Sequence, residues 1–140
     1  HLPVVKYLVE NGADIKQPSN DGGTPLLMSC KHGYLSIVKF LVENGADVDQ
    51  PCNTGATSLL VSSQNGHLAV VEYLVQNGAN INQANNVGAT PLFVSSEEGH
   101  LPVVQYLIKN RAFINQPSKD GVTPLFVSSS PYQEACIRYL

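Results

Sequence analysis

A period of 33 residues governs this chain and limits what it can fold into. The stretch Thr54–Asn86, TGATSLLVSSQNGHLAVVEYLVQNGANINQANN, is matched without a gap by residues 21–53 before it and 87–119 after it. The same register carries both ends. Val5-Lys6-Tyr7-Leu8 falls on Val71-Glu72-Tyr73-Leu74, and Gly121-Val122-Thr123-Pro124-Leu125 falls on Gly88-Ala89-Thr90-Pro91-Leu92. A fixed period of this length means small supersecondary units, each burying its apolar face only against its neighbours. The chain therefore reads as a single repeat domain over 1–140, with a partial unit at 1–20, full units at 21–53, 54–86 and 87–119, and a partial unit at 120–140.

One unit can be read as local structure. Thr90 stands before Pro91, and a hydroxyl that caps followed by a Pro at the first helical position marks a helix start. Gly99 ends that helix after about two turns. A second helix is expected from Leu101 to about Asn110, with Leu101, Val104, Leu107 and Ile108 sharing a face and Val103 beside it. In the other units the second helix ends at Asn11-Gly12, Asn44-Gly45 and Asn77-Gly78. The dozen residues that follow are rich in Asn, Asp, Pro and Gly, and predict a projecting turn or weak hairpin.

These motifs resemble the ankyrin repeat family. Gly-x-Thr-Pro-Leu occurs at 22–26, 88–92 and 121–125, Gly-His-Leu at 66–68 and 99–101, and Asn-Gly-Ala-Asp at 11–14 and 44–47. The resemblance implies an all-α solenoid of stacked helix pairs joined by hairpin-like loops. It further implies protein binding through loop tips and first helices, and no catalysis.

The chain departs from the family's pattern at several places. Leu27, Leu60, Phe93 and Phe126 stand where the family places His, which predicts an apolar column at the junction of helix and loop. The family's paired alanines become Ser29-Cys30, Ser62-Ser63, Ser95-Ser96 and Ser128-Ser129, still small enough for close stacking. Ser19, Cys52, Asn85 and Ser118 replace an aspartate at the tip. Arg111 replaces Gly and Phe113 replaces the Asp or Asn of the other units. Ser130 with Gln133 reads as a capping box for a second helix that starts early. Both ends stop inside a unit, so the chain is expected to be part of a longer array.

Composition and motif spacing exclude most chemistry. The formal net charge is −3, and charged residues make up 14% of the chain, against about 25% in ordinary domains. The eight Lys and Arg form no stripe, which disfavours nucleic acid. No apolar run approaches the roughly 20 residues of a membrane span, so no membrane insertion is expected. Cys30, Cys52 and Cys136 have neither zinc nor disulfide spacing, which points to a reducing, intracellular compartment, the cytoplasm or nucleus. His67 and His100 share a repeat position and lie too far apart, by about the 10 Å of packed helices, to share a metal. They are expected to be turn histidines bonded to backbone. Glu97-Glu98 point about 100° apart on a helix and do not form a facing acid–base pair. The aromatic column Tyr7, Phe40, Tyr73, Tyr106 and Tyr139 is expected to pack rather than to stack on bases. No activated nucleophile, phosphate loop, cofactor motif or small-molecule substrate site is found.

Two functions from different classes stay open. One is a module that holds a protein or peptide on its concave face; the other is a spacer or elastic segment that binds nothing itself. In the family's geometry the variable surface comprises Lys31 and His32, then Asn53, Thr54, Ala56, Gln64 and Asn65, then Asn86, Val87, Ala89, Glu97 and Glu98. Ala56 and Ala89 are expected to leave room for a partner's side chains, Val87 and Phe113 to offer apolar anchors, and Glu97-Glu98 to select a basic element. Because these positions differ between units, binding is the favoured reading.

Overall fold

The computed structural model describes residues 1–129. The capping box at Ser130–Gln133, Cys136, Tyr139 and the second helix of the last unit lie outside the described residues. Among the described residues eight helices follow one another: α1 (Leu2–Glu10), α2 (Pro25–Lys31), α3 (Leu35–Glu43), α4 (Ser58–Gln64), α5 (Leu68–Gln76), α6 (Pro91–Glu97), α7 (Leu101–Lys109) and α8 (Pro124–Ser129). No strand occurs among the described residues.

The first helices start where a threonine precedes them. The hydroxyls of Thr24, Thr57 and Thr90 accept from the N–H groups of Leu27, Leu60 and Phe93 at 3.2, 3.3 and 3.1 Å, filling one orphan donor in each helix. Each second helix closes on an asparagine. The side-chain amides of Asn44 and Asn77 donate to the carbonyls of Phe40 and Tyr73 at 2.8 Å, and the following Gly45 and Gly78 turn the chain at φ +90° and +87°.

The fourth such turn is strained. Asn110 keeps the φ of its counterparts, −97°, so the left-handed conformation falls on Arg111 at φ +70°. A side chain there costs about 1–2 kcal/mol. Arg111→Gly removes that strain and gives back about 0.4–1 kcal/mol through the looser unfolded chain. We expect a net gain of about 0.5–1 kcal/mol, read as a higher urea midpoint at unchanged slope; a lower midpoint would mean that the Arg111 side chain makes a stabilising contact.

First helices pack on first helices (α2 on α4, α4 on α6, α6 on α8), α2, α4 and α6 pack on the second helices of their own units, α3, α5 and α7, and second helices meet more loosely. The tight contact suits the serines. Ser62 and Ser95 are buried and return their hydroxyls to the carbonyls of Leu59 and Leu92, each at 3.1 Å. Ser63 is buried with its hydroxyl unpartnered. The core is a continuous seam in which Leu26, Leu59 and Leu92 of the first helices meet Leu41, Leu74 and Leu107 of the second. In α1, which lacks a first helix beside it, no residue is buried.

The expected face of α7 needs correction. Val103 and Leu107 are buried, Val104 is half-buried, and Leu101 and Ile108 are exposed. At 100° per residue Leu101 and Ile108 lie about 120° or more round the helix from the centre of the Val103–Leu107 line. The aromatic column packs as expected where it is described: Phe40, Tyr73 and Tyr106 lie against the seam, while Tyr7 is exposed at the first unit. Lys6 and Lys39 rest over the rings of Phe40 and Tyr73, 5.8 and 5.7 Å from the centroids.

Candidate protein-binding surface

The projecting loops are built from one tight turn repeated down the stack. In the second tip the Gly55 N–H donates to the Cys52 carbonyl at 2.8 Å and the Cys52 N–H to the Ala56 carbonyl at 3.0 Å. This is the three-residue hairpin with a left-handed glycine, and Gly55 has φ +79°. Successive tips are tied together by backbone: the N–H groups of Asn53, Asn86 and Lys119 donate to the carbonyls of Asp21, Thr54 and Val87 at 2.9, 2.9 and 3.0 Å. Side-chain amides add a second rung, from Asn53 to the Asn20 carbonyl at 3.0 Å and from Asn86 to the Asn53 carbonyl at 2.9 Å. The tips therefore form a rigid edge beside the first helices. In the first tip the Ser19 hydroxyl donates to Asp21, and this bond, followed by that from the Gly23 N–H, holds the Asp21 carboxyl below its ordinary value.

The two repeat histidines join this edge. Nε2 of His67 bonds the Lys31 carbonyl at 3.0 Å and Nε2 of His100 bonds the Gln64 carbonyl at 2.9 Å, both at the ends of the preceding unit's first helix. Each ring lies over a glycine; a Cβ on Gly33 or Gly66 would stand 2.6 or 2.7 Å from the ring's Nδ1. They are structural staples, as a backbone-bonded turn histidine should be. Among the described residues no three metal-binding side chains converge.

Most of the expected surface is exposed, but its members do not form one site. Lys31, His32, Asn53, Thr54, Gln64, Asn65, Asn86, Val87, Glu97, Glu98 and Phe113 are exposed. His32 caps α2 rather than lying within it, and its ring stacks on Tyr34 at 5.6 Å. Ala56 and Ala89 do not stand out at the tips as expected: they are 8% and 4% exposed, and of the two only Ala89 borders open space, as part of the floor of the groove described below. The hairpin turns them inward, where they join Leu60, Phe93, Val94 and Val127 in a small apolar cluster beneath the tips. Of the apolar column at the junction, Leu60 and Phe93 belong to this cluster, Leu27 is buried outside it, and Phe126 is exposed.

Phe113 stands apart from the residues that the groove described next brings together: it is exposed, yet it does not line that groove. Its N–H donates to Asn82 Oδ1 at 2.8 Å, as the Asn80 N–H does to Asp49 Oδ1 at 2.9 Å. Asp14, Asp47 and Asn80 also accept from the N–H two residues on, at 2.8, 3.0 and 3.1 Å; a phenyl ring makes no such bond.

A groove of about 300 Å³ runs between the third and fourth tips and the first helices α4 and α6. It brings together Gln64, Val87, Ala89 and Glu97 from the expected set. Asp120 and Val122, from the following unit, also line it and were not singled out by the repeat pattern. Their signal was present in the period: Asp120 occupies the tip position of Val87 one unit on. Partial burial, and then the charge of Glu98, push the Glu97 carboxyl above its ordinary value. A carboxyl raised on folding contributes stability below its unfolded value and loses it as pH rises through the folded one. Ionised Glu97 is therefore an uncompensated cost within this groove.

Two of the three cysteines can be placed. Burial pushes the Cys30 thiol up to about 12, so Cys30 is inert packing. At Cys52 partial burial acts upward, but bonds from the Thr54 hydroxyl and nearby N–H groups bring the thiol below its ordinary value.

Comparison with known proteins agrees with this geometry. The family model for ankyrin repeats in three copies matches residues 1–85 and 77–140. The chain belongs to the ankyrin repeat family, whose members are generally protein–protein interaction modules. Comparison with curated proteins finds no match to this chain. Among the described residues no helix is long and apolar enough to cross a membrane.

Proposed function

We propose that this chain is a non-catalytic interaction module that holds a protein or peptide on the concave face formed by its tips and first helices. The observation that best supports this reading is the groove itself. Exposed residues that differ between units, Gln64, Val87 and Glu97, line one concavity on a scaffold held rigid by the tip ladder. Binding residues positioned on loops by a rigid scaffold are a recurrent arrangement. The intracellular setting is part of the same proposal, since free thiols such as Cys30 and Cys52 persist in a reducing compartment.

The test compares retention of partners from a reducing cell extract by three immobilised proteins: the parent, Glu97→Lys with Glu98→Lys, and Glu72→Lys. Glu72 is on α5 at the repeat position of Lys6 and Lys39, so its reversal copies an arrangement the stack already uses. A partner should be retained by the parent and by Glu72→Lys, and reduced tenfold or more by the double reversal. Equal retention by all three would place binding on another face. Retention by none would favour the spacer reading.

A further inference from the structure

The groove between the third and fourth tips differs in charge from its counterparts along the stack. At the position of Glu97 the two preceding full units carry Lys31 and Gln64, and at the position of Asp120 they lead to Thr54 and Val87. Stacking requires what recurs, because every unit packs on its neighbours in the same way. Asp21, at the first tip, is also acidic at the position of Asp120, but only in this interval does a tip acid meet an acid on a first helix, and stacking, which recurs, does not explain that pair. Among the described residues no Lys or Arg lines the groove, and Lys119, which precedes Asp120, is not among its walls.

Its floor is apolar. Ala89 and Phe93 are buried beneath it, Val122 is half-buried, and Val87 stands 60% exposed as one wall. Glu97 and Asp120 both line this space, and the carboxyl of the first is already partly removed from water. Two negative groups beside an apolar floor match a long cationic side chain, whose methylene stem lies on the floor while its head meets the acids.

Resting on the reading that the concave face binds a partner, we propose that this groove receives a Lys or Arg side chain carried beside an apolar residue on an extended peptide segment of that partner. Val87 contacts the apolar neighbour, and Glu97 and Asp120 flank the cation. Charge complementarity of this kind sets specificity and approach rate together.

The test uses the whole 140-residue chain, labelled with ¹⁵N, and two peptides of sequence Gly-Ser-Leu-X-Leu-Ser-Gly in which X is Arg or its neutral isostere citrulline. The Arg peptide should shift the amide signals of Val87, Ala89, Glu97 and Asp120, and the citrulline peptide should bind about tenfold more weakly. Glu97→Gln and Asp120→Asn should each weaken the Arg peptide by about five- to tenfold, with no fall in the thermal unfolding midpoint, while Glu72→Gln should not weaken it. Equal binding of the two peptides, or no binding at millimolar peptide, overturns the proposal. Shifts confined to Lys31, Asn53 and Thr54 overturn the groove but keep the concave face. Shifts on the second helices overturn both.

Discussion

Leu74→Ala should destabilise the fold by about 3–4 kcal/mol, the largest loss expected of any single truncation in the central unit. Leu74 is fully buried on α5, at the meeting of first and second helices, with Leu59 and Leu41 also buried in the same seam. Truncation forfeits the transfer energy of the removed carbons and leaves a cavity that a rigid stack cannot close. Typical domains are stable by about 5–15 kcal/mol, so this one change removes a large share. Leu8 supplies the comparison: it has the same repeat position one unit before Leu41 and is 54% exposed. Leu8→Ala should cost under about 1 kcal/mol. Denaturant titration of both variants measures the contrast, and equal losses would show that burial in neighbouring units is not what holds the stack.

Gly55→Ala is expected to cost about 2–3 kcal/mol, for two separable reasons. The first is local: at φ +79° any side chain is strained by about 1–2 kcal/mol. The second belongs to stacking. A Cβ on Gly55 would stand 2.8 Å from the backbone nitrogen of Asn86, where the Asn86 N–H donates to the Thr54 carbonyl. Displacing that rung adds about 1 kcal/mol. Gly45→Ala isolates the first reason, because Gly45 has φ +90° and a Cβ there meets nothing within 4 Å. The difference between the two losses is the share of one tip-to-tip contact. Losses of the same size would mean that the tips adjust freely, and that the edge on which the binding reading depends is not rigid.

Helix starts and turns were legible in the residues because their causes are local. A threonine hydroxyl reaches an N–H three residues on, as at Thr90 and Phe93, and a glycine after a helix-ending asparagine, as at Gly45 and Gly78, takes positive φ. The period then carried these features along the chain, so the stack followed from repetition. Exposure at single positions was less legible. Ala56 was expected to stand open at a tip, and the burial of its methyl depends on which way the hairpin carries it over Leu60 and Phe93. Phe113 was expected among the anchors, and its place beside Asn82 removes it from the groove.

Sequence by itself therefore determined the architecture: the unit, its caps, its small-residue contacts and its membership of a repeat family. Those depend on interactions within a few residues and on their recurrence every 33. Only the tertiary structure decided which differences between units meet in space. Glu97 and Asp120 are 23 positions apart and on different units, yet line one groove, because the fourth tip stacks beside the third through the Lys119 N–H and the Val87 carbonyl. Periodicity aligns equivalent residues with one another. It does not state which inequivalent ones face each other, since that is set by the path of the loop and the direction in which each unit leans on the next.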